Sequence, residues 1–157
     1  MLILFMMGDL ELSGKVTEGK TMKILDVMTV NPLTLEPGDT IGQAEEIMNE
    51  QRIRQLPIVV GTELVGIVTD RDIRSFLSGR LFGTSEERER ALNAKVASVM
   101  TTKPMSLSPD DELRDALELL IDEKVGSVPV VDENEGLVGI VTYVDLLRAF
   151  LDSLDGE

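Results

Sequence analysis

The chain has 157 residues, enough for one compact domain or for two small units that share a core. It contains no cysteine and no histidine, which excludes disulfides, thiolate metal sites and imidazole general bases. The formal net charge of −14 argues against nucleic acid and against an anionic membrane surface as partners, because both attract an excess of lysine and arginine.

Residues 1–21 share no pattern with the rest of the chain. Their apolar opening, MLILFMM, is too short to span a bilayer and lacks the layout of a secretory signal. We therefore interpret residues 1–21 as a poorly ordered N-terminal extension.

The rest of the chain is a repeat that begins near Met22. The segment ILDVMTVNPLTLEPGDTIGQA (residues 24–44) aligns with VASVMTTKPMSLSPDDELRDA (residues 96–116) at an offset of 72. One extra residue in a later turn changes the offset to 73, so that GIVTDRD (residues 66–72) aligns with GIVTYVD (residues 139–145). We predict a first unit at 22–80, a linker helix at 81–95, a second unit at 96–153 and a tail at 154–157.

Each unit has the pattern of a β-α-β-β-α fold. A short extended piece is predicted after the first proline, at residues 33–35 and 105–107. Apolar residues at helical spacing follow, then two apolar strands joined by a polar turn, then a second helix. Between the units, Thr84 with Glu87 predicts a capping box at the start of the linker helix. Units of about sixty residues bury little core alone, so we expect them to pack on each other.

Each unit also places a threonine at the end of a buried strand and an aspartate three residues later, Thr69 with Asp72 and Thr142 with Asp145. Such a pair can be a capping box that satisfies free N–H groups of the next helix. Alternatively, the aspartate can accept hydrogen bonds from ribose hydroxyls while the helix N-terminus attracts a phosphate. The residues leave both interpretations open. Two strand glycines, Gly66 and Gly139, predict a close approach of another backbone segment.

Charge differs between the two units. Residues 51–80 hold five arginines against three acidic residues, whereas residues 123–153 hold two cations against six acidic residues. Arg71 and Arg74 can belong to a solvated helix face, but Arg54 precedes a buried strand, where an arginine is less expected. No glycine-rich phosphate loop, catalytic constellation or metal-ligand pattern is recognisable, so we expect neither enzymatic activity nor a required cofactor or metal.

The runs DVMT…P…RQLPIVV…ELVGIVTDRDI and SVMT…P…GSVPVV…GLVGIVTYVDL resemble tandem cystathionine-β-synthase (CBS) domains over residues 22–153. The resemblance implies an α/β (α+β) fold in which two β-α-β-β-α units pack through their sheets with approximate two-fold symmetry. It implies that two such pairs associate, here as a homodimer. It also implies that adenosine-containing ligands, such as AMP, ADP, ATP or S-adenosylmethionine, bind in the clefts between the units.

Carried over by position, the resemblance expects Thr69 and Asp72 to hold a ribose in one cleft, and Thr142 and Asp145 to hold one in the other. The residues expected to face the phosphate or the ring are Arg54, Gln55, Gly126 and Ser127. Backbone contacts to the base are expected around Thr34 and Ser106.

The two clefts are expected to be unequal. Asp70 and Arg71 are replaced by Tyr143 and Val144 in the second unit, and Gly126 stands at the position of Arg54. We therefore expect the stronger nucleotide site at Arg54, Thr69 and Asp72, and a less favourable environment for phosphate in the second cleft.

The leading hypothesis is a cytoplasmic regulatory module that senses an adenine nucleotide and acts on a separate effector protein. One alternative is a constitutive dimerisation or interaction module whose Thr-x-x-Asp pairs only cap helices. A ligand of the S-adenosylmethionine type is another.

Overall fold

A computed structural model describes residues 22–78 and 83–155, which form two β-α-β-β-α units joined by a helix. The predicted N-terminal extension, residues 1–21, lies outside the described residues, as do residues 79–82 and 156–157. The first unit contains β1 (Thr29–Val30), α1 (Ile41–Gln51), β2 (Gln55–Val60), β3 (Glu63–Thr69) and α2 (Asp70–Ser78). After α3 (Ser85–Leu92), the second unit contains β4 (Thr101–Thr102), α4 (Leu113–Asp122), β5 (Ser127–Val131), β6 (Leu137–Thr142) and α5 (Tyr143–Asp155). The predicted fold class is thus confirmed.

The shortest strand of each unit pairs with the sheet of the other unit. β1 lies antiparallel to β6, with Thr29 opposite Ile140, and β4 lies antiparallel to β3, with Thr101 opposite Ile67. The strand orders of the two three-stranded sheets are therefore β1-β6-β5 and β2-β3-β4. Each sheet is complete only when both units are present.

These short strands lie earlier in the chain than the extended pieces predicted at residues 33–35 and 105–107. Within those pieces, Leu35 and Leu107 each make one isolated parallel bridge, to Ile58 and Val130 respectively. The reason is local: the residues that follow β1 and β4, Asn31 and Lys103, have positive φ angles of 47° and 49°. Such angles lie outside the strand region and end the pairing.

Gly66 and Gly139 lie where the exchanged strands cross. A Cβ on Gly66 would be 2.7 Å from Sδ of Met100 and 3.0 Å from the carbonyl oxygen of Thr101. A Cβ on Gly139 would meet the equivalent atoms of Met28 and Thr29 at 2.6 and 3.1 Å. The predicted close approach of another segment at these glycines is confirmed, and the segment comes from the other unit.

Each hydrophobic core also includes one fully buried side chain from the other unit. A single turn of 3-10 helix precedes each short strand, at Ile24–Asp26 and Val96–Ser98. Ile24 is fully buried in the core of the second unit, and Val96 is fully buried in the core of the first. Burying such a side chain contributes about 1.5–3 kcal/mol, so each unit stabilises the fold of the other.

The linker helix α3 begins as predicted. The Glu87 N–H donates to Thr84 Oγ1 at 3.3 Å, and the Thr84 N–H donates to Glu87 Oε2 at 2.8 Å. The helix packs against α1 and α2 of the first unit, with Ala91 buried. α3 therefore contacts the helices of the first unit mainly through its C-terminal end, since its residues 85–90 are exposed.

We predict that Gly66→Ala lowers the free energy of unfolding by about 1–3 kcal/mol, because the added methyl group must displace the Thr101 carbonyl. Gly38 has no atom within 4 Å of an added Cβ, so Gly38→Ala is the matched control. Urea denaturation of both variants measures the difference. Equal losses for the two would show that the crossing at β3 tolerates a side chain.

Candidate functional site

The helices that follow the two hairpins both begin at a threonine–aspartate pair. Thr69 Oγ1 donates to Asp72 Oδ2 at 2.7 Å, and the Thr69 N–H donates to the same oxygen at 2.8 Å. The Asp72 N–H donates back to Thr69 Oγ1 at 3.2 Å. Thr142 and Asp145 make the same three bonds at 2.7, 2.8 and 3.3 Å. Both pairs are therefore capping boxes.

The capping bonds use only one oxygen of each carboxylate. Among the described residues, none donates a hydrogen bond to Oδ1 of Asp72 or to Oδ1 of Asp145. An ionised carboxylate has about four lone-pair sites, so the same aspartate can cap a helix and accept hydrogen bonds from a ligand. The two interpretations left open by the sequence are compatible.

A first cleft of about 400 Å³ opens beside Thr69 and Asp72. The second unit supplies much of its wall, through β4, residues 104–105 and residues 124–129. Apolar atoms of Ile67, Met105, Val128 and Pro129 line it. Its other polar and charged lining residues include Arg54, Gln55, Asp70, Arg71, Lys124, Gly126 and Ser127.

A second cleft of about 480 Å³ opens beside Thr142 and Asp145. Here the first unit supplies the opposite wall, through residues between 29 and 33 and between 51 and 57. Apolar atoms come from Leu33, Pro57, Ile140 and Val144, and the cationic lining residues are Arg52, Arg54 and Arg148.

Each cleft thus combines the Thr-x-x-Asp pair of one unit with segments of the other. Lys124 of the second unit lines the first cleft, and Arg52 of the first unit lines the second. Both residues follow a helix and have a φ of 54°. The sequence interpretation missed these two cations. The sequence did contain one signal for them, because the two cations stand at equivalent positions of the repeat, 72 residues apart.

Arg54 lies on the lining of both clefts. Its Nη1 is 2.9 Å from Asp70 Oδ2, and Nη2 of Arg74 is 2.8 Å from the same oxygen. The two arginine side chains are 69% and 70% exposed, so these ion pairs add little stability and leave the guanidinium groups accessible. Arg54 precedes a buried strand, but its side chain therefore lies at the surface, beside Asp70.

The charges that line the two clefts differ from the sequence-based expectation, which made the second cleft the less favourable one for phosphate. The first cleft has three cationic lining residues against two carboxylates, Asp70 and Asp72. The second has three cationic lining residues against one carboxylate, Asp145. Arg52 and Arg148 make no ion pair with any described residue. The second cleft is accordingly the more cationic, because Arg54 and Arg52 reach it from the first unit.

Of the other expected site residues, Gly126 and Ser127 line the first cleft only. Thr34 and Ser106 are exposed and line neither cleft, whereas their neighbours Leu33 and Met105 do. The described residues contain no cluster of acidic side chains that could hold a metal ion. Within the same residues, no helix has the length and apolar character needed to cross a bilayer.

A duplicated β-α-β-β-α unit with exchanged strands and two clefts between its halves defines a tandem CBS-pair module. The family model described as CBS domain matches residues 24–79 and again residues 96–152, and the chain belongs to this family.

Two curated relatives show how the chain compares in length. It is 34% identical over 123 residues to the CBS domain-containing protein YhcV of Bacillus subtilis, covering 78% of this chain and 81% of YhcV. It is 32% identical over 131 residues to protein MJ1225 of Methanocaldococcus jannaschii, covering 78% of this chain. The chain spans about half of MJ1225, 47% of its length.

Two solved structures that resemble the fold contain ligands. CBSX2, a CBS-pair protein of Arabidopsis thaliana solved in complex with AMP, matches with a TM-score of 0.72 and 28% identity, over 83% of this chain and 97% of that one. The CBS domain pair of protein MJ0100, solved with 5′-methylthioadenosine and S-adenosyl-L-methionine, matches with a TM-score of 0.74 and 26% identity, over 85% and 99%.

We predict that Thr69→Ala lowers the free energy of unfolding by about 1 kcal/mol, because the N–H of Asp72 loses its acceptor. The exposed turn residue Thr62 provides the control, and Thr62→Ala is expected to change stability by less than about 0.5 kcal/mol. Thermal or urea unfolding without ligand measures both. A Thr69→Ala chain as stable as the control would mean that the box does not cap α2 in solution.

Proposed function

We propose that the chain is a regulatory module that binds adenosine-containing ligands in its two inter-unit clefts. One observation carries the proposal. Each cleft places a carboxylate with an unused oxygen beside cationic side chains and an apolar wall. These are the groups needed for ribose hydroxyls, phosphate and an adenine ring respectively.

In this proposal, Oδ1 of Asp72 or Asp145 accepts hydrogen bonds from the ribose. The N-terminal ends of α2 and α5 lie beside these aspartates and favour negative charge through their dipoles. The base lies against apolar side chains such as Met105 in the first cleft and Leu33 in the second. The segments around Thr34 and Ser106 contribute through these neighbours.

The charge distribution supports a difference between the clefts. Arg52, Arg54 and Arg148 line the second cleft against the single carboxylate of Asp145. We propose that this cleft takes the phosphorylated ligand, and that the first cleft, with Asp70 on its lining, has less preference for phosphate. In the first cleft the charge of Asp70 offsets that of Arg54, with which it forms an ion pair at 2.9 Å.

The ligands of the two similar structures support the ligand class. AMP, 5′-methylthioadenosine and S-adenosyl-L-methionine, bound by CBSX2 and MJ0100, all contain adenosine. They differ in what is attached to the ribose, so they leave a nucleotide and an S-adenosylmethionine-type ligand as the two candidates here.

A sensing role is proposed because residues of both units line each cleft. A ligand that contacts both units has a different affinity for each relative arrangement of the units, and it shifts the population toward the arrangement that it binds better. A separate effector protein is proposed to recognise this change. The proposal also includes homodimerisation, a cytoplasmic location, the absence of catalysis and unit boundaries at 22–80 and 96–153. The molar mass in solution, measured by light scattering, tests homodimerisation.

We predict that the true ligand raises the melting temperature. At a hundred times its dissociation constant, a ligand adds about 2.7 kcal/mol, which is a shift of roughly 5–10 °C for a chain of this size. The screen uses AMP, ADP, ATP, NAD, adenosine and S-adenosylmethionine. No shift with any of them would favour the alternative, an interaction module whose Thr-x-x-Asp pairs only cap helices.

We further predict that Arg52→Ala with Arg148→Ala weakens AMP binding about tenfold or more, because two charge-assisted contacts to phosphate are lost, and leaves adenosine affinity nearly unchanged. Calorimetric titration of both ligands measures this. Arg88 is an exposed arginine of α3 outside both clefts, so Arg88→Ala serves as the control. Equal losses for AMP and adenosine would contradict the phosphate assignment, and unchanged AMP binding would place the nucleotide elsewhere.

A further inference from the structure

Of the described residues, three line both clefts: Arg54 and Gln55 of the first unit and Tyr143 of the second. These residues therefore lie between the two clefts. Arg54 is the only cation among the three. One guanidinium group is thus within reach of ligands on either side.

The position of Arg54 is tied to Asp70 through both the main chain and the side chain. The Asp70 N–H donates to the Arg54 carbonyl at 2.9 Å, and Nη1 of Arg54 donates to Asp70 Oδ2, also at 2.9 Å. Asp70 is the first residue of α2, where the helix dipole favours a carboxylate. The Asp70 side chain is short and 26% exposed, whereas the long arginine side chain is mostly exposed. The carboxylate is therefore the fixed partner of the pair, and the guanidinium is the one that can move.

The second unit has the same main-chain contact without the ion pair. The Tyr143 N–H donates to the Gly126 carbonyl at 3.2 Å, and these two residues stand at the repeat positions of Asp70 and Arg54. Gly126 has no side chain, and Tyr143 has no carboxylate. At this place the second unit therefore supplies neither a guanidinium of its own nor a group that holds Arg54.

A phosphate in the second cleft has to compete with Asp70 for Arg54. Asp70 lines the first cleft but not the second, so the two anions approach the guanidinium from different sides. Nη2 of Arg74 is 2.8 Å from the same Asp70 oxygen, and Asp70 keeps this cationic partner when Arg54 leaves. Exposed ion pairs are weak, whereas an arginine–phosphate contact is charge-assisted and can be bidentate. A bound phosphate is therefore able to take Arg54 from Asp70.

We infer that Asp70 is a positioning residue for the second cleft: it holds Arg54 in an ion pair that a phosphorylated ligand breaks in order to contact this arginine. The inference rests on the proposed function of the clefts. It makes Asp70 a determinant of phosphate affinity at a site whose wall it does not form. A ligand without phosphate, such as adenosine, does not compete for Arg54, and its affinity for the second cleft is independent of Asp70.

The test measures the affinity of each cleft separately. Of the two clefts, Leu33 lines only the second and Met105 only the first. In a chain isotopically labelled at the methyl groups of leucine and methionine, NMR titration of these two signals reports the two clefts. We expect Asp70→Asn to tighten AMP binding at Leu33 about two- to fivefold, the gain when an exposed ion pair no longer opposes the contact. Adenosine affinity at Leu33 is expected to stay the same.

The same substitution in an Arg54→Ala chain separates the release of Arg54 from a general effect of charge. In that chain, Asp70→Asn should leave AMP affinity at Leu33 nearly unchanged, because there is no guanidinium to release. At Met105, by contrast, Asp70→Asn should tighten AMP binding with or without Arg54, because Asp70 lines the first cleft.

Asp110→Asn is the matched control for the loss of one carboxylate. Asp110 also forms an exposed ion pair, with Lys23 at 2.6 Å, and both residues lie outside the two clefts. This substitution is expected to leave AMP affinity unchanged at Leu33 and at Met105.

Three outcomes would overturn the inference. An equal gain at Leu33 with and without Arg54 would show that Asp70 acts through its charge alone. No gain at Leu33 in the chain that retains Arg54 would show that Asp70 does not restrain the arginine. A response to AMP at Met105 only would mean that the second cleft takes no phosphorylated ligand. If AMP shifts neither methyl signal, the proposed function itself is wrong, and the inference fails with it.

Discussion

The pairing of each unit's first strand with the other unit's sheet determines most of this structure. β1 completes the sheet of β5 and β6, and β4 completes the sheet of β2 and β3. The 3-10 turns before these strands bury Ile24 and Val96 in the opposite cores. A unit of about sixty residues buries little surface alone and is marginally stable, and the exchange gives the two units shared sheets and cores.

The same exchange decides what the clefts are made of. The segments that continue from β1 and β4 pass along the opposite unit and carry Leu33 and Met105 into the clefts beside Asp145 and Asp72 respectively. A ligand in either cleft therefore touches both units without any further rearrangement of the chain. This property makes the clefts suitable for sensing, since occupancy and the relative position of the units are physically linked.

The Thr-x-x-Asp pairs show that a structural and a functional role need not exclude each other. One carboxylate oxygen closes the helix cap, and the other is free of bonds from the described residues. A cap of this kind also orients the side chain, because the threonine hydroxyl and the backbone N–H fix one oxygen and thereby direct the second. The cap then contributes to preorganisation, which reduces the entropy that a ligand-binding side chain loses.

The sequence by itself determined the duplication, the β-α-β-β-α order, the linker-helix cap and the Thr-x-x-Asp pairs, because these depend on local periodicity and on spacings within a few residues. It also indicated a close approach at Gly66 and Gly139, but not which segment approaches. Only the tertiary structure decided the strand exchange, the position of Arg52 and Lys124 in the clefts, and the fact that Arg54 lines both clefts. These features depend on which distant segments meet in space, and the shared repeat pattern does not show whether each short strand pairs with its own unit or with the other.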